Sequence, residues 1–275
     1  MAGIELKGSV VAVTGASRGL GRSMALAFAE AGAKVVLASP EPERLQQVAS
    51  EIAARHGQER ALALATDITT RSDCDRLLAE SINLLGGLDV LVNNARLPHR
   101  GPGIPEQGIS CPFWKADPGV WQDAVRINVG GTFLVTHVLA PHMIGKGWGR
   151  IINITTSLDT MQRRHNSPYG VTKAALEAAT LIWAHDLAGT GVTCNSLIPG
   201  GRVATDPSRA PPAGRSLLPV DVMNAAAIWL ASPLSDGVTG KRYVGKLWDA
   251  SLPPAEAAAR ALEPPVLREP KRSRD

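Results

Sequence analysis

The sequence VVAVTGASRGLG, residues 10–21, joins a short apolar run to a glycine-rich turn. The apolar run, residues 10–13, predicts a buried strand. Apolar residues then recur at helical spacing over 20–31, so the turn opens a helix. Glycines allow close backbone approach to a pyrophosphate, and a helix N-terminus presents free N–H groups to it. The stretch therefore predicts a dinucleotide-binding turn at the start of an α/β fold.

The alternation of strand and helix continues along the chain. A second helix is predicted over 43–54, and further strands over 34–38, 61–65, 90–92, 151–154 and 192–197. This order favours a single doubly wound parallel sheet between two helical layers, a Rossmann-like α/β/α domain. Ligands of such sheets bind beyond the carboxyl ends of the strands. We assign residues 1–250 to this domain and the proline- and charge-rich residues 251–275 to a C-terminal arm, which packs on a surface or stays mobile.

Composition narrows the class of protein. Hydrophobic residues make up 44% of the chain, and the three widely spaced cysteines suggest a reducing compartment and no metal site. No apolar run reaches membrane-spanning length and residues 1–7 do not resemble a secretory signal, so we expect a cytoplasmic protein with no membrane partner. Much of the formal charge of +4 comes from the last five residues. We interpret these as a solvated tail and expect no nucleic-acid partner.

The end of the second predicted strand bears on the choice of cofactor. An NAD-specific site usually has a carboxylate there, which binds the ribose 2′-hydroxyl and repels a 2′-phosphate. Here the position is Ser39, and Arg18 in the glycine turn could pair with the phosphate. The sequence therefore favours NADP(H). NAD(H) remains the alternative, with Glu41 or Glu43 approaching the ribose instead.

Tyr169 and Lys173 are spaced four apart, which places them on one face of a helix. Ser167 and Pro168 are predicted as its N-cap and first residue, so Tyr169 lies in the first turn. An ammonium group and a helix N-terminus both stabilise a phenolate. A tyrosine so placed could exchange a proton with a carbonyl or an alcohol during hydride transfer.

Six motifs occur in an order that resembles the single-domain short-chain dehydrogenases/reductases, over about residues 6–248. They are the glycine turn, Asp67, Asn93-Asn94-Ala95, Asn128, Tyr169-x-x-x-Lys173 and Pro199-Gly200. The resemblance implies an NAD(P)(H)-dependent oxidoreductase that interconverts a carbonyl and a secondary alcohol on a small-molecule substrate. We expect a homo-oligomer, either a dimer or a tetramer.

The resemblance also implies roles for individual residues. Asn128 would hold a water that links Lys173 to solvent. The family's polarising serine, thirteen residues before the tyrosine, corresponds to Thr156, and Ser157 could replace it if the strand end shifts. Cofactor contacts are implied for Gly15, Ser17, Arg18, Gly19, Leu20, Gly21, Ser39, Asp67, Ile68, Asn94, Ala95, Tyr169, Lys173, Pro199, Gly200 and Val203.

Two features depart from the family pattern. Arg96 stands where the family has a glycine, and the Pro- and Gly-rich residues 96–119 form an extended loop. This loop is either a substrate wall or a surface excursion that contacts another subunit. Arg96 and Thr156 also leave open a second function, a cofactor-binding protein with little catalytic activity.

Overall fold

The structure, a computed structural model, describes residues 4–97, 110–205 and 216–267. Within these ranges the strands are β1 (Val10–Thr14), β2 (Lys34–Ser39), β3 (Ala61–Ala65), β4 (Val90–Asn93), β5 (Gly149–Ile154), β6 (Val192–Ile198), β7 (Arg242–Val244) and β8 (Leu262–Glu263). The α-helices are α1 (Gly19–Glu30), α2 (Pro42–His56), α3 (Arg71–Glu80), α4 (Pro118–Val125), α5 (Thr132–Lys146), α6 (Leu158–Gln162), α7 (Tyr169–Asp186), α8 (Asn224–Leu230) and α9 (Pro254–Ala261).

The described strands form one sheet in the order β3-β2-β1-β4-β5-β6-β7-β8. Strands β1 to β7 pair in parallel, and β8 alone among them pairs antiparallel, with β7. The predicted doubly wound α/β/α fold is confirmed. The chain reverses its direction of winding between β1 and β4, and in such sheets this is where a ligand crevice opens.

Two apolar layers cover the sheet. Buried residues of α1, α2, α8 and α9 form a cluster on one face, and those of α3, α5 and α7 form a cluster on the other. The central strands β1, β4, β5 and β6 are buried along their whole length, as expected for a parallel sheet covered on both sides. A rigid sheet of this kind fixes the positions of the loops at its carboxyl edge.

The helical stretch 118–146, which joins α4 and α5 through a π-helical segment (Arg126–Gly131), is long and apolar enough to cross a membrane by length and composition. One such helix is weak evidence for a membrane span, because the core helices of other proteins pass the same test of length and composition. Here α5 packs against α3 and against strands β4 and β5. We therefore interpret it as a core helix.

Three local expectations need correction. The N-cap of α7 is Pro168 rather than Ser167, so Tyr169 is the first helical residue; Ser167 instead accepts a hydrogen bond from Trp121 at 3.0 Å. Helix α4 begins at Pro118, inside the predicted loop. Residues 98–109 of that loop lie outside the described residues.

The described part of the arm is ordered into α9 and β8, while its separation from the 1–250 domain stays a prediction.

Candidate active site

The glycine turn connects β1 to α1 in a form that suits a phosphate. Gly15 and Gly19 have positive φ values of 66° and 55°, which favour glycine. Gly21 has no room for a side chain, because a Cβ there would overlap the Gly15 carbonyl oxygen. Helix α1 starts with no side-chain cap from Arg18 and no acidic residue in its first turn. Its first N–H groups are therefore available to an anion, and the residues present fit a dinucleotide pyrophosphate.

Asn94 fastens this turn to the end of β4. Its side-chain amide donates to the carbonyl oxygens of Thr14 and Gly15 at 2.9 and 3.2 Å. The Thr14 hydroxyl accepts from the main-chain N–H groups of Asn94 and Ala95 at 3.0 and 3.1 Å. These bonds join the glycine turn after β1 to the segment that ends β4, so Asn94 holds the shape of the turn.

The end of β2 carries a compact polar cluster. Ser39 donates to the Ser17 hydroxyl at 3.2 Å, and Ser17 donates to the Glu41 carboxylate at 2.6 Å. Two guanidinium groups also approach Glu41, from Arg18 at 3.7 Å and from Arg44 at 3.3 Å. The sequence predicts roles for Ser17, Arg18, Ser39 and Glu41 but not for Arg44. The position of Arg44 in the first turn of α2 could have indicated it.

The other predicted cofactor contacts lie along the same edge of the sheet. Asp67 and Ile68 follow β3, and the buried Ile68 packs against Gly131. Pro199 and Gly200 follow β6, and Val203 forms an isolated bridge with Leu218. Next along the chain, Thr205 lies against the turn, since a Cβ on Gly19 would sit 3.2 Å from the Thr205 Cβ.

Tyr169 and Lys173 occupy successive turns at the start of α7, beside the end of β5. Lys173 is 2% exposed, and its ammonium donates to the Ile154 carbonyl at 2.7 Å. The Lys173 nitrogen lies 5.9 Å from the centroid of the Tyr169 ring. The Tyr169 hydroxyl shares a side-chain hydrogen bond with Thr156. The sheet and the helix thus bring a phenol, an ammonium and a hydroxyl together.

Burial opposes ionisation in this cluster, and neighbouring charges act on it. Burial raises the pKa of Tyr169 above its ordinary value, while the Arg96 cation, the hydrogen bond with Thr156 and the Arg163 cation lower it. Burial, and then Arg96, lowers the pKa of Lys173 to about 7, against the opposing effect of Glu177. Lys173 therefore titrates near neutral pH. Burial also lowers the pKa of Arg96, against the opposing effect of Tyr169 and together with the smaller effect of the Arg18 cation.

Thr156 and Ser157 diverge where β5 ends. Ser157 is the N-cap of α6, and its hydroxyl lies 2.9 Å from the Thr160 hydroxyl and accepts from the Thr160 N–H at 3.4 Å. Thr156 is the one of the two whose side chain meets Tyr169. The polarising role that the sequence left between them therefore has a geometric candidate in Thr156.

Asn128 lies in the π-helical segment between α4 and α5. Its side-chain oxygen accepts from the Leu97 N–H at 2.7 Å, and its amide donates to the Thr172 hydroxyl at 3.0 Å. Thr172 in turn donates to the Tyr169 carbonyl at 2.9 Å. Asn128 thus links the segment after β4 to the first turn of α7.

Arg96 is the residue whose place the sequence did not reveal. Its guanidinium lies over the Tyr169 ring, 5.7 Å from the centroid, and donates to the Leu97 carbonyl at 3.0 Å. The sequence indicated only a departure from a glycine. Asn128 holds the backbone of the next residue, Leu97. The contact could not be predicted from the sequence because Arg96 and Tyr169 are far apart along the chain.

Comparisons with known proteins identify relatives of this chain. The family described as short chain dehydrogenase matches residues 9–212. A 3-oxoacyl-[acyl-carrier-protein] reductase from Aquifex aeolicus is 32% identical over 250 residues, which cover 86% of this chain and 96% of that protein.

Two solved structures have the same fold. A 3-ketoacyl-(acyl-carrier-protein) reductase from Brucella melitensis, complexed with NADH, has a TM-score of 0.75 at 30% identity, covering 86% of this chain and 96% of that one. A gluconate 5-dehydrogenase from Burkholderia cenocepacia, in complex with NADP and tartrate, has the same score and identity, covering 87% and 94%. The chain therefore belongs to the short-chain dehydrogenase family and is an NAD(P)-dependent oxidoreductase acting on CH–OH groups.

Proposed function

We propose that the protein interconverts a small-molecule carbonyl and its secondary alcohol, with Tyr169 as the general acid or base. The observation that carries this proposal is the contact of the Tyr169 hydroxyl with Thr156, beside the cations of Lys173 and Arg96. The bound nicotinamide supplies or accepts the hydride. In reduction, Tyr169 gives its proton to the oxygen that gains negative charge, and in oxidation it removes the proton of the alcohol.

The neighbours of Tyr169 divide the remaining work. The Thr156 hydroxyl donates to the substrate oxygen and so stabilises the charge that develops there. Lys173 and Arg96 stabilise the phenolate that Tyr169 becomes after it gives up its proton. Asn128 holds the first turn of α7 against the segment after β4. These bonds help to fix the position of the Tyr169 ring.

The test is turnover of a panel of ketones, aldehydes and secondary alcohols by the wild type and by Tyr169→Phe. The substitution should lower kcat by at least ~100-fold, the low end for loss of a positioned general acid. The Kd of the cofactor, measured by calorimetry, should change little. If the wild type binds cofactor but turns over no compound in either direction, the cofactor-binding alternative replaces this proposal.

For the cofactor itself we propose a preference for NADP(H). Arg18 and Arg44 bring two positive charges to the end of β2 against the single negative charge of Glu41, so the cluster favours an added phosphate. Glu41 is the opposing feature, because its carboxylate could accept the ribose hydroxyls of NAD(H). Calorimetric Kd values for NADPH and NADH decide the question, and tighter binding of NADH would overturn the preference.

We further propose a cytoplasmic homo-oligomer, a dimer or a tetramer. Large apolar side chains are exposed on α5 and α7, including Phe133 at 53% and Ile182 at 57%. Such side chains on two long helices that cover the same face of the sheet suit a subunit contact. Light scattering after size exclusion should give a multiple of the 28.9 kDa chain mass. Phe133→Glu should reduce that multiple, and a monomeric wild type would contradict the proposal.

A further inference from the structure

Three successive residues at the end of β5 are each held by a different charged side chain. Lys173 donates to the Ile154 carbonyl at 2.7 Å. Glu177 accepts the hydroxyl hydrogen bond of Thr155. Both terminal nitrogens of Arg242 lie 3.2 Å from the Thr156 carbonyl, to which they donate. The strand end that presents the Thr156 hydroxyl is therefore fastened at every residue.

The second and third of these charges form a buried pair. Arg242 on β7 donates to Glu177 on α7 at 2.5 Å, with the two side chains 3% and 4% exposed. Ser196 on β6 donates to the other carboxylate oxygen at 3.3 Å. Desolvating two charges is costly, and packed apolar residues of similar volume often serve stability equally well. A pair of this kind that also holds the strand end beside Tyr169 points to a role in placing Thr156.

The C-terminal arm completes the network. Glu263, on β8, accepts from the Arg242 Nε at 3.3 Å, and its side chain is 40% exposed. The pairing of β8 with β7 sets Arg242 directly opposite Glu263. Every nitrogen of the Arg242 guanidinium therefore has an acceptor, and its plane is fixed by groups from three parts of the chain. Donors held in a fixed plane define the direction of the carbonyl they bind.

We infer that Glu177 and Arg242, together with Glu263 of the arm, are positioning residues that aim the Thr156 hydroxyl at the substrate oxygen. The inference rests on the proposed role of Thr156. The arm then contributes to catalysis through its bond to Arg242. Glu177 adds a second effect, because its negative charge raises the pKa of Lys173 and so supports the ammonium.

The first test replaces Arg242 by lysine, which keeps a charge for Glu177 but cannot reach the Thr156 carbonyl and Glu263 together. We expect kcat to fall by about 10-fold, since a slight misplacement of a reacting group can cost up to ~100-fold. The KM and Kd of the cofactor should stay unchanged. Because loss of a buried charge can unfold the chain, the paired variant Glu177→Gln with Arg242→Met removes both charges and should show a similar loss of kcat.

A milder test acts on the arm alone. Glu263→Gln should lower kcat by about 2- to 5-fold, the range that a partly exposed ion pair can transmit. The matched control is Arg260→Gln, which breaks the arm's other ion pair, with Asp249 at 3.2 Å, and does not reach Arg242. The control should leave kcat unchanged.

A spectroscopic readout separates this inference from the proposed reaction. The chain has two tyrosines, so 3-fluorotyrosine labelling gives two ¹⁹F resonances. Tyr243 pairs with Leu262 and reports docking of the arm, whereas Tyr169 reports the contact with Thr156. Arg242→Lys should shift the Tyr169 resonance even if no substrate is turned over. An unmoved Tyr169 resonance in a folded Arg242→Lys protein, or an unchanged kcat in an active one, would overturn the inference.

Discussion

The cofactor end and the catalytic end of the active-site cleft are held in place by different kinds of interaction. At the cofactor end, glycines and main-chain groups shape the turn after β1, and a single asparagine, Asn94, clamps it. At the catalytic end, buried charged side chains from α7 and β7 hold the end of β5, and the partly exposed Glu263 of the arm binds one of them, Arg242. The first end depends on space and backbone conformation, whereas the second depends on charge placement. Substitutions at the two ends should therefore fail in different ways.

The largest effect is expected at the catalytic end. Thr156→Ala removes the hydroxyl that meets Tyr169 and should lower kcat/KM by ~10- to 1,000-fold, the range for a lost donor to a developing oxyanion. Thr156→Ser keeps the hydroxyl and should remain active. Ser157→Ala is the control, since Ser157 caps α6. Steady-state kinetics checks all three variants, and an inactive Ser157→Ala with an active Thr156→Ala would reverse the assignment.

At the cofactor end, Gly21→Ala forces a Cβ into the Gly15 carbonyl. The turn must open to relieve the overlap, so we expect cofactor affinity to fall at least ~10-fold, about 1.4 kcal/mol. Stability should fall by ~1–3 kcal/mol, as for overpacking. Gly145→Ala in α5 is the control, because a Cβ there meets nothing within 4 Å. Calorimetry and urea unfolding measure the two losses, and equal behaviour of the two variants would contradict this account.

The next prediction concerns the charge that faces Tyr169. Arg96 lowers the pKa of Tyr169, so Arg96→Gln should raise that pKa. Alcohol oxidation needs the phenolate as base. The rising limb of the pH–rate profile for oxidation should therefore move to higher pH. Thr156 and Arg163, which also lower the pKa of Tyr169, remain in place. Arg96→Lys should restore most of the profile. A pH–rate profile that is identical in wild type and Arg96→Gln would remove Arg96 from the chemistry.

The smallest effect is expected at the end of β2. Glu41→Gln leaves Arg18 and Arg44 without the carboxylate that neutralises them, so NADPH should bind about 2- to 5-fold more tightly. Glu43→Gln, at an exposed residue two positions further along the chain, should not change the affinity. The ratio of NADPH to NADH Kd values is the measurement. A ratio that moves toward NADH would mean that Glu41 serves the phosphate site rather than competing with it.

The sequence was sufficient for the fold and for the local part of the site. Strand and helix periods alternate clearly, and the glycine turn needs only neighbours in the chain, so both could be predicted. Tyr169 opens a helix four residues before Lys173 and was predicted for the same reason, whereas Asn93 and Asn94 were predicted from the family resemblance. Helix α7 begins one residue later than predicted, because Pro168 itself takes the N-cap position.

What the sequence hid depends on contacts between distant segments. Glu177 and Arg242 are 65 positions apart, and nothing local distinguishes them from surface charges. Arg96 reaches Tyr169 from a segment whose backbone Asn128 holds at Leu97. The proline-rich arm could have packed on a surface or stayed mobile, and its alanines Ala257, Ala258 and Ala261 are buried. Tertiary packing decided each of these cases.

The two-residue strand β8 also determines how the sheet can grow. It covers Arg242 and Tyr243 of β7, and a strand this short offers too few main-chain groups for a further strand to pair with. At the opposite margin, β3 runs for five residues with its outer side unpaired among the described strands. A sheet continued from one copy of the protein into another would therefore have to pass through β3, and substitutions that place lysine or proline on that strand should suppress edge-to-edge aggregation.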